Sequence, residues 1–598
     1  MFKYDPVEFY MNKKILLLYP KIPPTYWSYK YALPFLGYRA TMPPLGLITI
    51  AAMLPDNYEV QLVDMNIQEL RREDITGADL VFISAMIVQK ESFRQAVKLC
   101  NECGTPVAAG GPYPTTSHQN IQGVDYFILN EGEITLPRFI HDLERGNPKK
   151  IYMDAAKPDI TKTPAPRYEL LEINAYATMA VQSSRGCPFN CEFCDIIEMF
   201  GRVPRYKLPE QLTGEMERLY ETGFRGSLFV VDDNFIGNKK KVRRILDQII
   251  AWQASRDYPF TLFTEASINL AQDGPLMDKM VEAGFDMVFV GIETPNHKTL
   301  ALTQKQQNTK ADILESVKKI QDKGLEVSGG FIVGFDGDAE DIFDLQIEFI
   351  QKAGIPIAMI GTLVALPNTQ LYRRLEREGR IIGDASGNNT HAVELNFVPR
   401  MPRDILLAGY KRIISTIYKP KYYFARCRSL LKRLPSNGAR GEHIDINHLR
   451  ALCLSLVKQT FSSYGFHYLR LLLSAILHKP GKFPLAVNLA VKGYHFFKMT
   501  NDILRADEVS SRMESMIERL KEQFANSFDH GADIDPVIIR RLADRAKNNI
   551  NRLYKHLNPE LKEHLKDAYR DCKLKCETIV HLWIQRAVSD DEVMMDTV

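Results

Sequence analysis

The chain has 598 residues, which is too long for a single hydrophobic core, and 45% of them are hydrophobic and 25% charged, as in an ordinary globular protein. Its net charge of +3 is too small to argue for or against nucleic acid as a global partner. Nine cysteines and no charged-then-apolar leader predict a reducing cytoplasm, where thiols serve metals or cores and a disulfide framework is excluded.

The N-terminal part alternates short apolar strands with helical stretches, which predicts a doubly wound, Rossmann-like parallel sheet. Strands are predicted at 14–19, 58–64, 80–84, 106–111 and 126–129, with helices at 45–54 and 91–103. Ligands of such sheets bind at the carboxyl ends of the strands, which here carry Ser84, Gly110-Gly111-Pro112 and Asn130-Glu131-Gly132-Glu133. Paired glycines at that edge let the backbone approach a flat, bulky ligand.

A segment rich in Pro and Lys, 147–170, is predicted to be a linker. A second series of strands and helices follows it and predicts a partial (β/α)6 barrel, open at one side, with its site at the carboxyl ends of the strands. The predicted strands are 180–184, 227–233, 261–265, 287–293, 327–335 and 358–364.

From about residue 400 the pattern becomes helical, with apolar residues at helical spacing in 403–433, 448–477, 484–499, 507–525 and 536–586. The predicted fold class is therefore α/β with an all-helical C-terminal domain. The predicted domains are 1–146, the linker 147–170, the barrel 171–398 and the helical domain 399–598.

The strongest chemical signal is the spacing C-x3-C-x2-C of Cys187, Cys191 and Cys194. Three thiolates hold three irons of a [4Fe-4S] cluster and leave the fourth iron open to a small molecule. The alternatives are a zinc knuckle that lacks a ligand and an accidental group of structural thiols. Two further pairs, Cys100/Cys103 and Cys572/Cys576, lie in helical stretches and are predicted to be buried.

This spacing, with the strands that follow it, resembles the radical S-adenosylmethionine (SAM) superfamily, in which SAM chelates the open iron. The resemblance implies that Phe193 packs near adenine and that polar strand ends contact the rest of SAM. The residues at those positions are Asp232, Asp233, Glu265, Ser267 and Glu293, and the strand that ends at Gly334 resembles the adenine-side strand of the family. For each carboxylate the alternative is a cap on the next helix.

The N-terminal sheet resembles the cobalamin (B12) domain that precedes the barrel in the B12-dependent radical SAM class. The residues that this resemblance assigns to cobalamin are Ser84, Met86, Gly110, Gly111, Pro112, Thr115, Glu131, Gly132 and Glu133. The D-x-H-x-x-G signature, which supplies a histidine to cobalt in other B12 proteins, is absent at Asp64-Met65-Asn66. The resemblance therefore implies cobalamin without a lower histidine ligand; the alternative is a domain that only supports the barrel.

Over nearly the full length the chain resembles the cobalamin-dependent radical SAM enzymes with a helical C-terminal domain, the subclass of the hopanoid C-2 methylases. That resemblance implies reductive cleavage of SAM, hydrogen abstraction by a 5'-deoxyadenosyl radical, and methylation of an unactivated carbon of a lipid-like substrate. Ring formation or oxidation with the same cofactors is the alternative, and a cobalamin-binding sensor has no use for an open iron. A methylthiotransferase is disfavoured because it needs three N-terminal cysteines for a second cluster.

The expected partners are a reductase such as ferredoxin or flavodoxin and a small hydrophobic substrate, with membrane lipid as one source and no nucleic acid. The apolar runs 468–477 and 483–487 line a substrate channel or form core. Three roles are open for the basic and aromatic segment 418–433: contact with nucleic acid, contact with anionic lipid headgroups, or packing on the barrel. Prolines interrupt the two long uncharged runs, 40–55 and 353–372, so neither is expected to span a membrane. We expect a cytoplasmic chain with at most peripheral contact with the inner membrane face.

Overall fold

A computed structural model describes residues 12–388, 395–436, 446–529, 536–557 and 559–595. The chain divides into two compact units, Met1–Phe496 and Phe497–Val598. The boundaries expected at 146, 170 and 398 all fall inside the first unit and stay predictions.

The N-terminal sheet has six parallel strands in the order β2-β1-β3-β4-β5-β6. The strands are β1 (Lys14–Tyr19), β2 (Glu59–Asp64), β3 (Leu80–Ser84), β4 (Val107–Gly110), β5 (Tyr126–Ile128) and β6 (Ile151–Tyr152). The helices are α1 (Leu33–Leu36), α2 (Leu45–Ala51), α3 (Arg72–Thr76), α4 (Lys90–Cys103), α5 (Pro112–Ser117) and α6 (Gly132–Glu144). Within β1, Ile15 and Leu17 pack into one core and Leu16 and Leu18 into another, so both faces of the sheet are covered as the doubly wound prediction requires.

The sixth strand comes from the segment that the sequence predicted to be a linker. Ile151 and Tyr152 pair in parallel with Phe127 and Ile128 at the edge of the sheet. The Tyr152 hydroxyl also donates a hydrogen bond to Asp142 at 2.9 Å. A strand of two residues is too short to produce a periodic signal, which is why the sequence did not reveal it.

The second sheet has six parallel strands in the order β14-β13-β12-β11-β10-β7, so the barrel is open between β14 and β7. A short antiparallel pair, β8 and β9, follows β7. The strands are β7 (Met179–Val181), β8 (Ser184–Arg185), β9 (Arg205–Tyr206), β10 (Gly226–Val230), β11 (Phe260–Glu265), β12 (Phe285–Glu293), β13 (Glu326–Val333) and β14 (Ala358–Thr362). The helices are α7 (Ile196–Met199), α8 (Pro209–Glu221), α9 (Lys239–Ala254), α10 (Gly274–Glu282), α11 (His297–Leu302), α12 (Ile313–Asp322), α13 (Ile342–Ala353) and α14 (Gln370–Arg377).

From residue 403 onward the secondary structure of the described residues is helical, as predicted. The helices are α15 (Arg403–Ile417), α16 (Pro420–Arg433), α17 (Ile446–Thr460), α18 (Gly465–His478), α19 (Phe483–Asp529), α20 (Pro536–Lys555) and α21 (Pro559–Met595). The two predicted segments 484–499 and 507–525 are one helix of 47 residues, α19. In the second unit, Cys572 and Cys576 are part of the apolar core, in agreement with the prediction that they are buried.

The basic and aromatic segment 418–433 is largely the packing helix α16. Tyr423 and Phe424 are buried, and the fully buried Arg426 donates to the carbonyls of Ile355 at 2.7 Å and Ile417 at 2.8 Å. Across the residues described, every helix is too short or too polar to cross a membrane.

Candidate active site

The three cysteines lie in a loop that begins directly after β8, at the carboxyl end of the barrel sheet. Gly186 opens the loop with φ +95°, and a Cβ there would lie 2.9 Å from the Gly201 carbonyl oxygen. Its amide donates to the Asp233 carboxylate at 2.7 Å, and the Cys187 amide donates to the Gly201 carbonyl at 3.3 Å. Only glycine fits the first position, because both its conformation and its close approach to the opposite backbone exclude a side chain.

Two side-chain amides point at the sulfurs of this loop. Asn234 Nδ2 lies 3.8 Å from Cys187 Sγ, and Gln307 Nε2 lies 3.6 Å from the sulfur of the buried Cys191. Hydrogen bonds to cluster sulfurs adjust the reduction potential of iron-sulfur sites. Neither amide was predicted from the sequence, since Gln307 is 116 residues from Cys191 and no local motif contains it.

The donor set fits an iron-sulfur cluster better than a single metal ion. Among the residues that the structure describes, no three His, Cys, Asp or Glu side chains converge on one ion. In a [4Fe-4S] cluster each thiolate binds a different iron, so the three sulfurs need not converge on one point. A closed zinc site needs four ligands, whereas three thiolates are the ligand set of a cluster with one open iron.

Asp232 is a buried carboxylate that holds the strand end in place. Its Oδ1 accepts hydrogen bonds from the amides of Ser183 at 2.7 Å and Ser184 at 2.9 Å. Its Oδ2 accepts from both serine hydroxyls, at 2.7 Å from Ser184 and at short range from Ser183. These four bonds occupy both oxygens, while the predicted contact of Asp232 with SAM stays a prediction.

Asp233 and Glu265 follow neighbouring strands, and the charge of Asp233 contributes to the raised pKa of Glu265. Burial, followed by the nearby carboxylates, raises the pKa of each to about 7. Ser267 follows β11; its amide and its hydroxyl lie 3.2 and 3.3 Å from Asn234 Oδ1, and the hydroxyl lies 2.7 Å from Asn269 Oδ1. The structure therefore brings these three predicted residues to one edge of the barrel.

The end of β12 carries a buried ion pair, of which the sequence predicted Glu293 but not Lys305. Lys305 Nζ lies 2.5 Å from Glu293 Oε1, and Glu293 has φ +63°, next to a register shift between Gly291 and Glu293. A Cβ at Gly291 would lie 2.5 Å from Glu293 Oε1 and 2.8 Å from Lys305 Nζ, so glycine makes room for the pair. Burial alone would lower the pKa of Lys305, but Glu293 and the nearby thiols outweigh it and raise the pKa.

Phe193 and Gly334, both assigned to the adenine side, are close together. The Phe193 ring lies 5.6 Å from the ring of Phe335, the residue after Gly334. Gly334 has φ +100°, and its amide donates to Asp338 Oδ2 at 2.9 Å. Gly334 is buried, and a Cβ there would lie 3.0 Å from Leu406, so the glycine makes room for that side chain.

The carboxyl edge of the N-terminal sheet is closely packed at its paired glycines. A Cβ on Gly111, which has φ +86°, would lie 2.5 Å from Ser84 Oγ, and one on Gly110 would lie 2.8 Å from the Ile128 carbonyl oxygen. Thr115 accepts a hydrogen bond from the Asn130 amide at 3.0 Å, and Met86 is exposed beside this edge. Pro112 starts α5 and Gly132 starts α6, so both stand at helix N-termini along the same edge.

The region of the absent histidine signature is occupied by internal hydrogen bonds. Asp64 is buried and accepts from the Asn66 amide at 2.8 Å and from the Tyr176 hydroxyl at 3.0 Å. Burial raises the pKa of Asp64. The Tyr176 bond joins the N-terminal sheet to the segment that leads into the barrel.

Glu131 and Glu133 connect the N-terminal sheet to the cysteine loop through buried ion pairs. Glu131 accepts from Arg185 at 2.9 Å and from Arg205 at 2.8 and 3.0 Å, and the Glu133 carboxylate lies 2.8 Å from Arg185. Arg185 belongs to β8 and Arg205 to β9, on either side of the cysteine loop. Burial opposes ionisation of Glu133, but Arg185 and its hydrogen bonds outweigh burial and lower the pKa.

Sequence profiles of three known families match consecutive parts of the chain. The B12 binding domain matches residues 37–140, the Radical SAM superfamily matches 181–368, and a domain of unknown function, DUF4070, matches 369–508. An uncharacterized methyltransferase of Synechocystis sp. is 40% identical over 85% of this chain and 96% of its own length. The hopanoid C-2 methylase of Rhodopseudomonas palustris is 35% identical over 71% of this chain and 79% of its own length.

Two solved structures share the fold. The cobalamin-dependent radical enzyme OxsB, with aqua-cobalamin and SAM bound, gives a TM-score of 0.52 at 14% identity and covers 83% of this chain and 81% of its own. The radical SAM methyltransferase TsrM of Kitasatospora setae, with cobalamin and a [4Fe-4S] cluster bound, also gives a TM-score of 0.52 at 14% identity. The match covers 81% of this chain and 99% of that chain. At that identity the likeness concerns the arrangement of the domains' strands and helices.

Replacement of Cys191 by alanine should abolish both the thiolate-to-iron absorption of the cluster and the cleavage of SAM, because two thiolates do not retain a cubane in reach of the substrate. Iron content, the visible spectrum and formation of 5'-deoxyadenosine are measured after anaerobic reconstitution. Cys453→Ala, which removes an exposed thiol, is the control and should leave all three unchanged. Retained SAM cleavage in C191A would contradict the assignment.

Replacement of Glu131 by glutamine should lower the free energy of unfolding by about 3 kcal/mol, because it leaves Arg185 and Arg205 buried with one carboxylate between them. The first transition in urea denaturation of the chain measures this change. Glu315→Gln, which breaks an exposed pair with Lys318, should have almost no effect. Equal losses in the two variants would rule out a structural role for the buried pairs.

Proposed function

The chain belongs to the cobalamin-dependent radical SAM methylases, and on this basis we propose that it methylates an unactivated carbon of a hydrophobic, lipid-like substrate inside the open barrel. The cofactors of the family are a [4Fe-4S] cluster, SAM and cobalamin. The observation that carries the substrate proposal is the aromatic lining of the inner face of the barrel sheet.

Alternation along the strands separates the inner face from the face covered by helices. On β10, Leu228 and Val230 are fully buried, whereas Phe229 between them is partly exposed. Phe263 on β11 and Phe289 on β12 are likewise partly exposed between buried neighbours. These three phenylalanines therefore belong to the face that a substrate would meet.

The aromatic rings on this face pack against one another. Phe229 and Phe263 stack with ring centroids 4.6 Å apart and planes 1° apart. Trp27, in a helical turn from the N-terminal domain, packs edge-on against Phe289 at 5.1 Å and is 43% exposed. A flat apolar molecule gains about 25 cal/mol for each square ångström of surface that it buries against such rings.

The chain's own residues have the following proposed roles. Cys187, Cys191 and Cys194 hold the cluster, and Asn234 and Gln307 donate towards its sulfurs. When bound, the cluster with SAM supplies one-electron cleavage chemistry and cobalamin supplies the methyl group. We assign SAM binding to Phe193, Asp233, Glu265, Ser267, Glu293 and Gly334. The predicted contact of Asp232 with SAM is kept in this proposal, beside the hydrogen bonds that its oxygens accept from Ser183 and Ser184.

Cobalamin binding is assigned to the edge of the N-terminal sheet. The paired glycines let β4 and the loop after it pack closely on Ser84 and Ile128 at this edge, where ligands of doubly wound sheets bind. The residues assigned to this site are Ser84, Met86, Gly110, Gly111, Pro112, Thr115, Gly132, Glu131 and Glu133. Of these, Glu131 and Glu133 act by holding Arg185 next to the cysteine loop.

Enzymes of this superfamily take an electron from a reductant. We propose a ferredoxin or flavodoxin as that donor, in the cytoplasm. A substrate of lipid character resides in a bilayer, and we therefore propose that the enzyme acts at the inner face of a membrane.

The proposed function predicts a product heavier than its precursor by one CH2 group. The full chain, reconstituted anaerobically with iron, sulfide and cobalamin, is incubated with SAM, a reductant and lipid extract in detergent, and products are identified by mass spectrometry. SAM labelled in its methyl group should pass the label to an apolar product. A cyclised or oxidised product without label would instead favour the ring-forming or oxidative alternative.

The role of the aromatic lining is tested by Phe263→Ala in the same assay. The variant should raise the KM for the apolar substrate about tenfold or more, because it removes a large part of the stacked pair, and should leave SAM cleavage intact. Phe224→Ala removes a partly buried ring that precedes β10 and serves as the matched control. Equal effects of the two substitutions would contradict a substrate site on the inner face.

A further inference from the structure

The helix α18 exposes apolar residues along one side. The exposed residues are Phe466, Leu469, Leu473, Ile476 and Leu477. Their spacing of three and four residues puts them on one stripe of the helix. The opposite side carries the buried residues Tyr468, Leu471, Leu472 and Ala475. The prediction that 468–477 forms core or lines a channel therefore describes only the inner side of this helix.

The preceding helix α17 has a similar exposed stripe. Ile446, Leu449, Leu456 and Val457 are exposed, opposite the buried Ala451 and Ser455. Phe461, in the loop between the two helices, is 90% exposed, and Phe466 at the start of α18 is 72% exposed. The buried sides of the two helices meet, since Ser455 Oγ donates to the Tyr468 hydroxyl at 3.0 Å, and exposed apolar residues in such number mark interaction sites in folded proteins.

The charge around these helices has one sign. Residues 405–496 contain fifteen Lys and Arg and two Asp and Glu, and 446–496 contain six and none. The whole chain has a net charge of only +3, so the excess of positive charge is confined to this region. Its partner should therefore carry negative charge.

Four basic residues gather beside the apolar stripe, where α16 meets α18. Arg428 Nη1 and His467 Nδ1 are buried and have no hydrogen-bond partner within the described part of the chain. Burial, and then the neighbouring cations Lys421, Arg428 and Arg470, lower the pKa of His467. Arg470 also lies on the exposed stripe of α18, between Phe466 and Leu473.

We propose that this surface binds the anionic face of a lipid bilayer. The surface, called here the α17–α18 face, consists of the exposed apolar residues of both helices, Phe461 and the basic residues Lys421, Arg428, His467 and Arg470. The apolar side chains enter the headgroup region, and the cations meet lipid phosphates. The biological reason for this contact rests on the proposed function, since a membrane-resident substrate requires the enzyme to reach the bilayer. The structural evidence for the contact does not depend on methylation.

A second copy of the chain is a poorer occupant of the α17–α18 face. In a symmetric dimer the same patch meets itself, so the basic residues of the two copies would lie opposite each other. The segment 446–496 offers no carboxylate to neutralise them. A bilayer that contains acidic lipid satisfies both the apolar and the charged requirement.

The test is flotation of the full, anaerobically purified chain with vesicles of phosphatidylcholine alone or mixed with phosphatidylglycerol at roughly 3:1. Binding should be at least about tenfold stronger to the acidic vesicles and should weaken with salt, because the screening length falls from about 10 Å at 0.1 M to about 3 Å at 1 M. The variant Phe466→Ser/Leu473→Ser should lose about tenfold or more. The variant Lys421→Gln/Arg470→Gln should lose about 25-fold, only with acidic vesicles.

Matched controls remove similar groups elsewhere. Leu574→Ser/Leu582→Ser removes two exposed leucines of α21, and Lys240→Gln/Lys298→Gln removes two exposed cations; both should bind like the original chain. The inference is overturned if the original chain does not float, if the test variants lose no more than the controls, or if light scattering shows a dimer that F466S/L473S dissociates. Methylation of substrate in detergent is measured in parallel. If no methylation occurs there, the proposed function is refuted, and the vesicle result is unchanged.

Discussion

The ion pairs of Glu131 and Glu133 with Arg185 and Arg205 are the contacts on which the arrangement of the first unit depends. All four side chains are largely removed from water, so none can be left without its partner except at a cost of several kcal/mol. The two carboxylates lie at the carboxyl edge of one sheet, and the two guanidinium groups flank the cysteine loop of the other. Buried charge pairing therefore ties the carboxyl edge of the N-terminal sheet to the cysteine loop of the barrel.

A second set of buried polar contacts arranges the barrel edge itself. Asp232 holds Ser183 and Ser184 ahead of the loop, Asp233 holds Gly186, and Lys305 neutralises Glu293. Burial raises the pKa of Asp233 and Glu265 at this edge, and the nearby cations Arg185 and Lys305 offset that rise only in part. The edge thus combines fixed hydrogen bonds that shape the loop with carboxylates that retain capacity for a ligand.

The sequence predicted the fold and the centre of the site because both depend on local patterns. Strand and helix alternate regularly in both α/β parts, and the three cysteines fall within eight residues. It did not predict Gln307, Lys305 or the partners of Glu131, because these contacts join residues far apart in the chain and depend on strand order and register. The apolar run in α18 was ambiguous for a different reason: hydrophobic residues on every side of a helix have the same pattern whether a core or a membrane covers them.

The stretch between the two sheets has a consequence for protein engineering. The strand β6 belongs to the first sheet, Gln211 in α8 donates to the carbonyls of Ile160 and Thr163, and the Tyr168 hydroxyl donates to the Ala180 carbonyl. A chimera joined anywhere within 147–170 would cut through these contacts, although composition makes the segment look like a natural junction. A functional exchange unit would have to run from the first strand through β9, with both arginines and the cysteine loop transferred together.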